Sequence, residues 1–210
     1  MLEVPNRDRQ TERREATRRE IVAAAWAVAR EQGLAQLTLR DVAERVGMRA
    51  PSLYSHFDSK NAIYDAMFED AWWSYEAHAA EQHASLSEHP RTAAKQVARY
   101  FFEFATADLA RYQLMNQRTI PGFEPSPGAY APAVRAYTMG REILRGLGVD
   151  RQDDVDIWVS LVGGMVDQHL ANDPGGQRFS RLLDRAVDMW ADHVGLPPER
   201  SSRRKSGDRT

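Results

Sequence analysis

The 210-residue chain has no cysteine, which excludes disulfides, thiolate metal sites and a cysteine nucleophile, and accords with a reducing compartment. It has no long apolar run either. The best candidate, residues 157–166, falls well short of the roughly 18 uninterrupted apolar residues that a membrane-spanning helix needs. The first twenty residues, MLEVPNRDRQTERREATRRE, carry no apolar stretch behind their charges, so no secretory signal is expected. Strand-like alternation and internal repeats are missing throughout. So are the HExxH, Gly-rich phosphate-loop and Gly-x-Ser-x-Gly patterns of common catalytic sites. His78 and His83 stand five apart, about 140° around a helix, and do not converge on a metal. The expectation is an all-α, soluble, cytoplasmic protein that is not an enzyme and needs no metal or cofactor.

The net charge of −2 conceals an uneven distribution. Residues 1–60 hold 11 basic against 9 acidic side chains, residues 61–196 hold 12 against 19, and residues 197–210 hold 5 against 2. A mildly basic head on an acidic body suits a module that meets phosphates on one face only. Arg13, Arg14, Arg18 and Arg19 either follow a phosphate backbone or solvate the first turns of their helix.

What the chain does possess is concentrated in residues 38–60, TLRDVAERVGMRAPSLYSHFDSK. Thr38 is placed to N-cap a helix whose third position, Asp41, adds negative charge near the positive end of the dipole. Leu39, Val42, Ala43 and Val46 recur at helical spacing. Gly47 sits where that helix must stop and turn, a place that favours positive φ. A second helix follows, with Pro51 tolerated near its first turn and Leu53 and Phe57 forming its inward face. Ser52, Tyr54, Ser55 and His56 fall on the outward face, as groups able to reach phosphates and base edges. Upstream, Ile21, Ala24, Ala25, Val28 and Ala29 give a longer helix ending at Gly33 an apolar stripe that roofs the two short ones.

This order of elements, with T-L-R-D-V-A at 38–43, V-G-M at 46–48, S-L-Y-S-H-F at 52–57 and S-K at 59–60, resembles the TetR family of bacterial transcriptional regulators. The resemblance implies that Thr38 and Arg40 contact phosphates, that Arg49, Ala50, Ser52, Tyr54 and His56 line a recognition helix beside the outward Ser55, and that Lys60 binds a further phosphate. Arg49 is the best candidate for base readout, because a guanidinium bonds guanine O6 and N7 together, and Ala50 suits a thymine methyl. Plainer roles stand beside these: Tyr54 packed on the head, Arg40 an ordinary solvated charge, His56 a structural cap.

Residues 61–196 read as further helices, over about 60–88, 91–108, 109–118, 130–147, 152–171 and 177–194, with a loop by composition at 121–128. Trp72, Phe101, Phe104, Met115, Phe123, Tyr137, Trp158 and His169 are candidate lining residues of a small-molecule pocket, with core packing the alternative for each. The last two helices carry more apolar surface than one inward face requires. Trp158, Leu161, Val162, Met165, Leu182, Leu183 and Trp190 are therefore candidates for a homodimer interface, with Gly163 and Gly164 permitting close approach, and burial within one chain is the alternative.

Taken together, these patterns predict an all-α chain with a three-helix DNA-binding head at 1–60, its residues 1–11 flexible. A helical effector-binding and dimerisation domain follows at 61–196, then a disordered basic tail at 197–210. The family resemblance adds the expected function: a dimeric repressor of a palindromic operator in double-stranded DNA, released by a small, mainly apolar effector. An all-α enzyme, or a ligand carrier with a non-functional head, is the alternative.

Overall fold

The computed structural model describes residues 6–199, in which every regular element is a helix. In chain order they are α1 (Asn6–Gln32), a single 3₁₀ turn (Leu34–Gln36), α2 (Leu39–Val46), α3 (Ala50–Leu53), α4 (Lys60–His83), α5 (Pro90–Thr106), α6 (Leu109–Asn116), α7 (Pro127–Gly146), α8 (Gln152–Asn172) and α9 (Ser180–His193). Residues 1–5 and 200–210, and with them most of the expected basic tail, lie outside the described residues. The chain forms two compact units. One comprises the residues up to His78 together with Phe104–Thr138, and the other Ala79–Glu103 with the residues from Met139 onward.

The head forms around a small apolar core. Ile21, Ala25 and Val28 of α1 are buried with Leu37, with Val42 of α2, and with Leu53 and Phe57, as helical spacing predicts. Thr38 is extended (φ −119°, ψ 152°), and its Oγ1 accepts from the Asp41 amide at 3.2 Å while donating to the Asp41 carboxylate at 2.6 Å. Gly47 closes α2 at φ 79°, where a Cβ would be strained. The Met48 amide then reaches back to the Ala43 carbonyl and the Gly47 amide to that of Glu44, so the last carbonyls of α2 are satisfied.

Several helix bounds differ from expectation: α4 ends at His83 rather than near 88, α9 begins at Ser180 rather than 177, and three others differ as follows. α1 begins at Asn6, inside the stretch read as a flexible lead-in. α3 spans only four residues and passes into turns through His56. Pro51 at its start donates no hydrogen bond, and at its end the Ser55 hydroxyl takes the Ser52 carbonyl at 2.7 Å, a local bond that competes with helix continuation. α7 begins at Pro127 rather than near Tyr130, because Asp65 of α4 accepts from both the amide (2.6 Å) and the hydroxyl (2.5 Å) of Ser126, and that hydroxyl in turn accepts from the Ala129 amide.

Three side chains tie the head to later helices of its own unit. The Trp26 indole donates to Asp70 at 2.9 Å, Arg30 pairs with Asp108 at 2.7 Å, and the buried Tyr64 hydroxyl donates to the Leu34 carbonyl at 2.6 Å. Ile63, Met67 and Ala71 of α4 are fully buried beneath them.

In the second unit α8 and α9 pack along Val155, Trp158, Val162 and Val166 on one side and Leu183, Val187, Trp190 and Ala191 on the other, all buried. The indoles of Trp158 and Trp190 meet at 4.6 Å between centroids, and Trp190 Nε1 donates to the Asp154 carbonyl at 3.0 Å. Four candidates for a dimer interface, Trp158, Val162, Leu183 and Trp190, are thus turned into their own chain, since two large indoles bury most area by facing one another. Residues 197–199, expected to open the disordered tail, are held instead: Arg91 donates to the Leu196 (2.8 Å) and Pro197 (3.2 Å) carbonyls, and Thr92 donates to Glu199 at 2.9 Å.

Candidate nucleic-acid interface and ligand pocket

The candidate DNA-reading residues come together at the two short helices and the start of α4. Arg49 is the N-cap residue of α3 and is exposed, as are Ser52, Ser55 and Arg40. Tyr54 is 53% exposed, which opposes the reading of it as a packing residue of the head. Ala50 is half-buried against the head core, so part of its methyl surface is already used. His56 is half-buried with Nδ1 enclosed and unpartnered. Lys60 turns its ammonium toward the Ala35 carbonyl at 3.4 Å and over the Tyr64 ring at 5.3 Å. Thr38 and Asp41 form the cap already described.

The arginine run in α1 has a role that composition does not reveal. Arg14 donates to the Ser55 carbonyl at 3.2 Å and Arg18 to the His56 carbonyl, while the Arg18 guanidinium lies 4.0 Å from the centroid of Phe57. The i, i+4 spacing of Arg14 and Arg18 was the available signal; the acceptors it serves were visible only once the turn after α3 was in place. Arg45 also pairs with Glu31, linking α2 to α1 and lowering the Glu31 carboxyl below its usual value.

The candidate ligand residues divide. Trp72 and Phe104 join a series of ring contacts in the first unit: Phe68 to Trp72 at 6.3 Å, Trp72 to Tyr75 at 5.9 Å, Tyr75 to Phe104 at 5.2 Å. Met115 and Phe123 line a cavity of about 380 Å³ together with Phe68, Leu114, Ile120 and Tyr130. Tyr137 is 44% exposed. Phe101, Trp158 and His169 belong to the other unit, where Trp158 packs on Trp190 and His169 meets the edge of Phe102 at 5.1 Å. Sequence reasoning passed over Phe68, Tyr75 and His78 of α4 and Arg111 of α6; the three-residue spacing of Trp72, Tyr75 and His78, which sets all three along one side of a helix, was the signal. Burial pushes the Tyr75 phenol up to about 12.

Among the described residues no helix is long and apolar enough to cross a membrane, and no group of three or more carboxylates and histidines is placed to hold a metal ion.

Residues 21–67, which span the head core, both motif helices and the start of α4, match the model for bacterial regulatory proteins of the tetR family. A tetracycline repressor protein of class A from transposon 1721 of Escherichia coli is 27% identical over 182 residues, covering 81% of this chain and 79% of that one. Residues 21–67 are thus a head of the tetR-family type, on a chain that is similar to a tetracycline repressor over most of its length. A TetR-family transcriptional regulator from Bordetella parapertussis 12822 shares the fold with a TM-score of 0.62 at 19% identity, over 87% of this chain and 98% of that one. The multidrug binding protein EbrR, solved in complex with imidazole, shares it with a TM-score of 0.59 at 20% identity, over 89% and 93% of the two chains. The N-terminal head therefore carries the helix-turn-helix of bacterial regulatory proteins of the tetR family.

Proposed function

We propose that this regulator is a repressor that binds a palindromic operator as a homodimer and releases it when a small molecule enters the helical body. The observation that carries the DNA-binding part is the exposure of Arg49, Ser52 and Tyr54 on one short, externally braced helix, with Thr38, Arg40 and Lys60 at the neighbouring helix starts. Backbone and side-chain donors at those starts hold phosphates and set orientation, and Arg49 reads a base edge. Ala50, Ser55 and His56 complete the proposed contact surface, with Ala50 offering only its outer methyl face.

Dimerisation rests on apolar surface left uncovered within one chain. On α8, Ile157 is 47% exposed, and Leu161, Gly164 and Met165 continue the same side; on α9, Leu182 is 39% and Met189 68% exposed. A Cβ at Gly163 or Gly164 would meet nothing within 4 Å, so a partner helix has room to approach there. Pairing two copies along α8 and α9 covers this surface and supplies two heads for successive major grooves, roughly 34–36 Å apart.

The body offers the cavity beside Phe68, Met115 and Phe123 as the place where an effector enters, and the solved relative with imidazole bound is a case of a small molecule held by this fold. Release follows if the effector binds more tightly to a dimer whose heads no longer match the groove spacing, and its power equals that difference in affinity. On this reading a cytoplasmic regulator uses residues up to 60 to read DNA and the helices beyond to pair and to sense.

The test is selection of duplex DNA from a random pool by the full-length protein, followed by binding to the selected site at increasing ionic strength. A palindromic consensus bound by two copies supports the reading. Selection of no consensus would leave a ligand carrier with a silent head as the better description.

A further inference from the structure

The ring series on α4 ends in a group of donors whose hydrogen-bonding capacity is unused. Phe104 of α5 is its hub: the His78 ring lies 5.6 Å away, the Arg111 guanidinium carbon 5.3 Å above the ring, and Tyr75 at 5.2 Å connects it to Trp72. Trp72 Nε1, His78 Nε2 and Arg111 Nε are each enclosed and without a hydrogen-bond partner. Indole and guanidinium N–H groups can only donate, and the imidazole nitrogen donates in one tautomer, so each of the three calls for an acceptor. Buried polar groups of native proteins are almost always paired, and a cluster of exceptions calls for a reason.

Charge points the same way. The carboxylate nearest Arg111 is that of Asp108, 3.9 Å from its Nη2. Asp108 is already engaged by Arg30 at 2.7 Å and caps the first turn of α6 through the Arg111 amide at 3.1 Å. Arg111, only 24% exposed at its side chain, therefore shares its carboxylate with Arg30 and holds the longer of the two ion pairs. Tyr75, against Phe104, is half-buried, and burial pushes its phenol up to about 12. A guanidinium in such a place favours a carboxylate, which it bonds through two parallel N–H groups. The walls are aromatic, and at their other end Phe68 borders the cavity of about 380 Å³ that Met115, Phe123 and Tyr130 also line.

We infer that the effector is a carboxylate with a flat aromatic or acyl body: Arg111, with Trp72 and His78, holds its anionic end, and the ring series toward Phe68 and Met115 receives the rest. This inference rests on the reading of the body as an effector site and alters its chemistry, since a mainly apolar effector would leave all three donors unmatched.

The experiment titrates the full-length protein with 4-phenylbutyrate, decanoate and the methyl ester of each, reading binding by calorimetry and thermal shift, and release of the selected DNA site in parallel. The acids are expected to bind at least tenfold more tightly than their esters. Arg111→Gln is expected to abolish that preference while retaining the native circular dichroism spectrum and DNA binding, and Arg111→Lys to retain part of it. Esters that bind as well as the acids, an Arg111→Gln protein with unchanged affinity for the acids, or an absence of binding by all four probes overturns the carboxylate site. An ester that binds and releases the DNA overturns it while leaving ligand-gated repression standing. A carboxylate held through Arg111 that leaves the DNA complex intact upholds the site and refutes the gating.

Discussion

Arg18 lies over Phe57, 4.0 Å from the ring centroid to its guanidinium carbon, and donates to the carbonyl of His56. A four-residue helix cannot hold itself, since nucleation costs more than so few hydrogen bonds return. α3 is therefore fixed from outside, by Leu53 and Phe57 beneath it and by Arg14 and Arg18 at its trailing carbonyls, where cations also suit the helix dipole. Arg18→Ala is expected to weaken operator binding by about 1 kcal/mol, in line with a lost charged hydrogen bond, without changing the salt dependence. A phosphate contact behaves differently: its removal would lower the slope of log affinity against log salt by about one. Anisotropy titrations at several salt concentrations separate the two.

Arg49→Ala and Tyr54→Ala are each expected to cost about 1–3 kcal/mol of operator binding with the fold and dimer intact. Arg49→Ala should also relax discrimination at one base position, whereas Lys60→Ala should weaken all sequences alike. Competition among single-base variants of the operator measures the difference.

Much of the head was legible beforehand because its signals are local. A cap at Thr38, a reversal at Gly47 and an inward pair at Leu53 and Phe57 each depend on a few neighbouring residues, and all are present. The sides of α8 and α9 were not legible. Both helices have apolar residues on more than one side, and periodicity shows stripes without showing which stripe its own chain covers. The contact of Trp158 with Trp190 decides it, leaving Ile157, Leu182 and Met189 outward. The pocket candidates were chosen by residue type, and type alone could not separate Trp72 and Phe104, which share a ring series, from Trp158, which is committed to Trp190. Arg14 and Arg18 were ambiguous for another reason: their acceptors are backbone carbonyls about forty residues away, and a carbonyl has no signature in sequence.

That division of faces can be tested. Met189→Asp is expected to convert the proposed dimer to a folded monomer, seen by sedimentation, with little loss of helical signal. Trp190→Ala should act within each chain, costing about 3–5 kcal/mol of stability through the cavity it leaves. Denaturation in urea and sedimentation should therefore rank the two variants in opposite order.

The C-terminal contact with α5 should depend on pH. The Thr92 hydroxyl and then Lys95, at 3.3 Å, hold the Glu199 carboxyl below its ordinary value of 4.5. A carboxyl lowered in the folded state contributes stability that is fully present above 4.5 and is lost as pH falls through the folded value. Glu199→Gln is expected to lower the melting temperature slightly at neutral pH, and the gap between variant and parent should close on acidification below 4.5.

The central claim is that two copies of this chain read DNA through residues 38–60. The most direct test is the stoichiometry and salt dependence with which the full-length protein binds its selected palindrome. Two protomers per site, with affinity falling steeply as salt rises and counterions compete for the phosphates, is the expected result. A single protomer per site, or an affinity that stays flat from low to moderate salt, would contradict it.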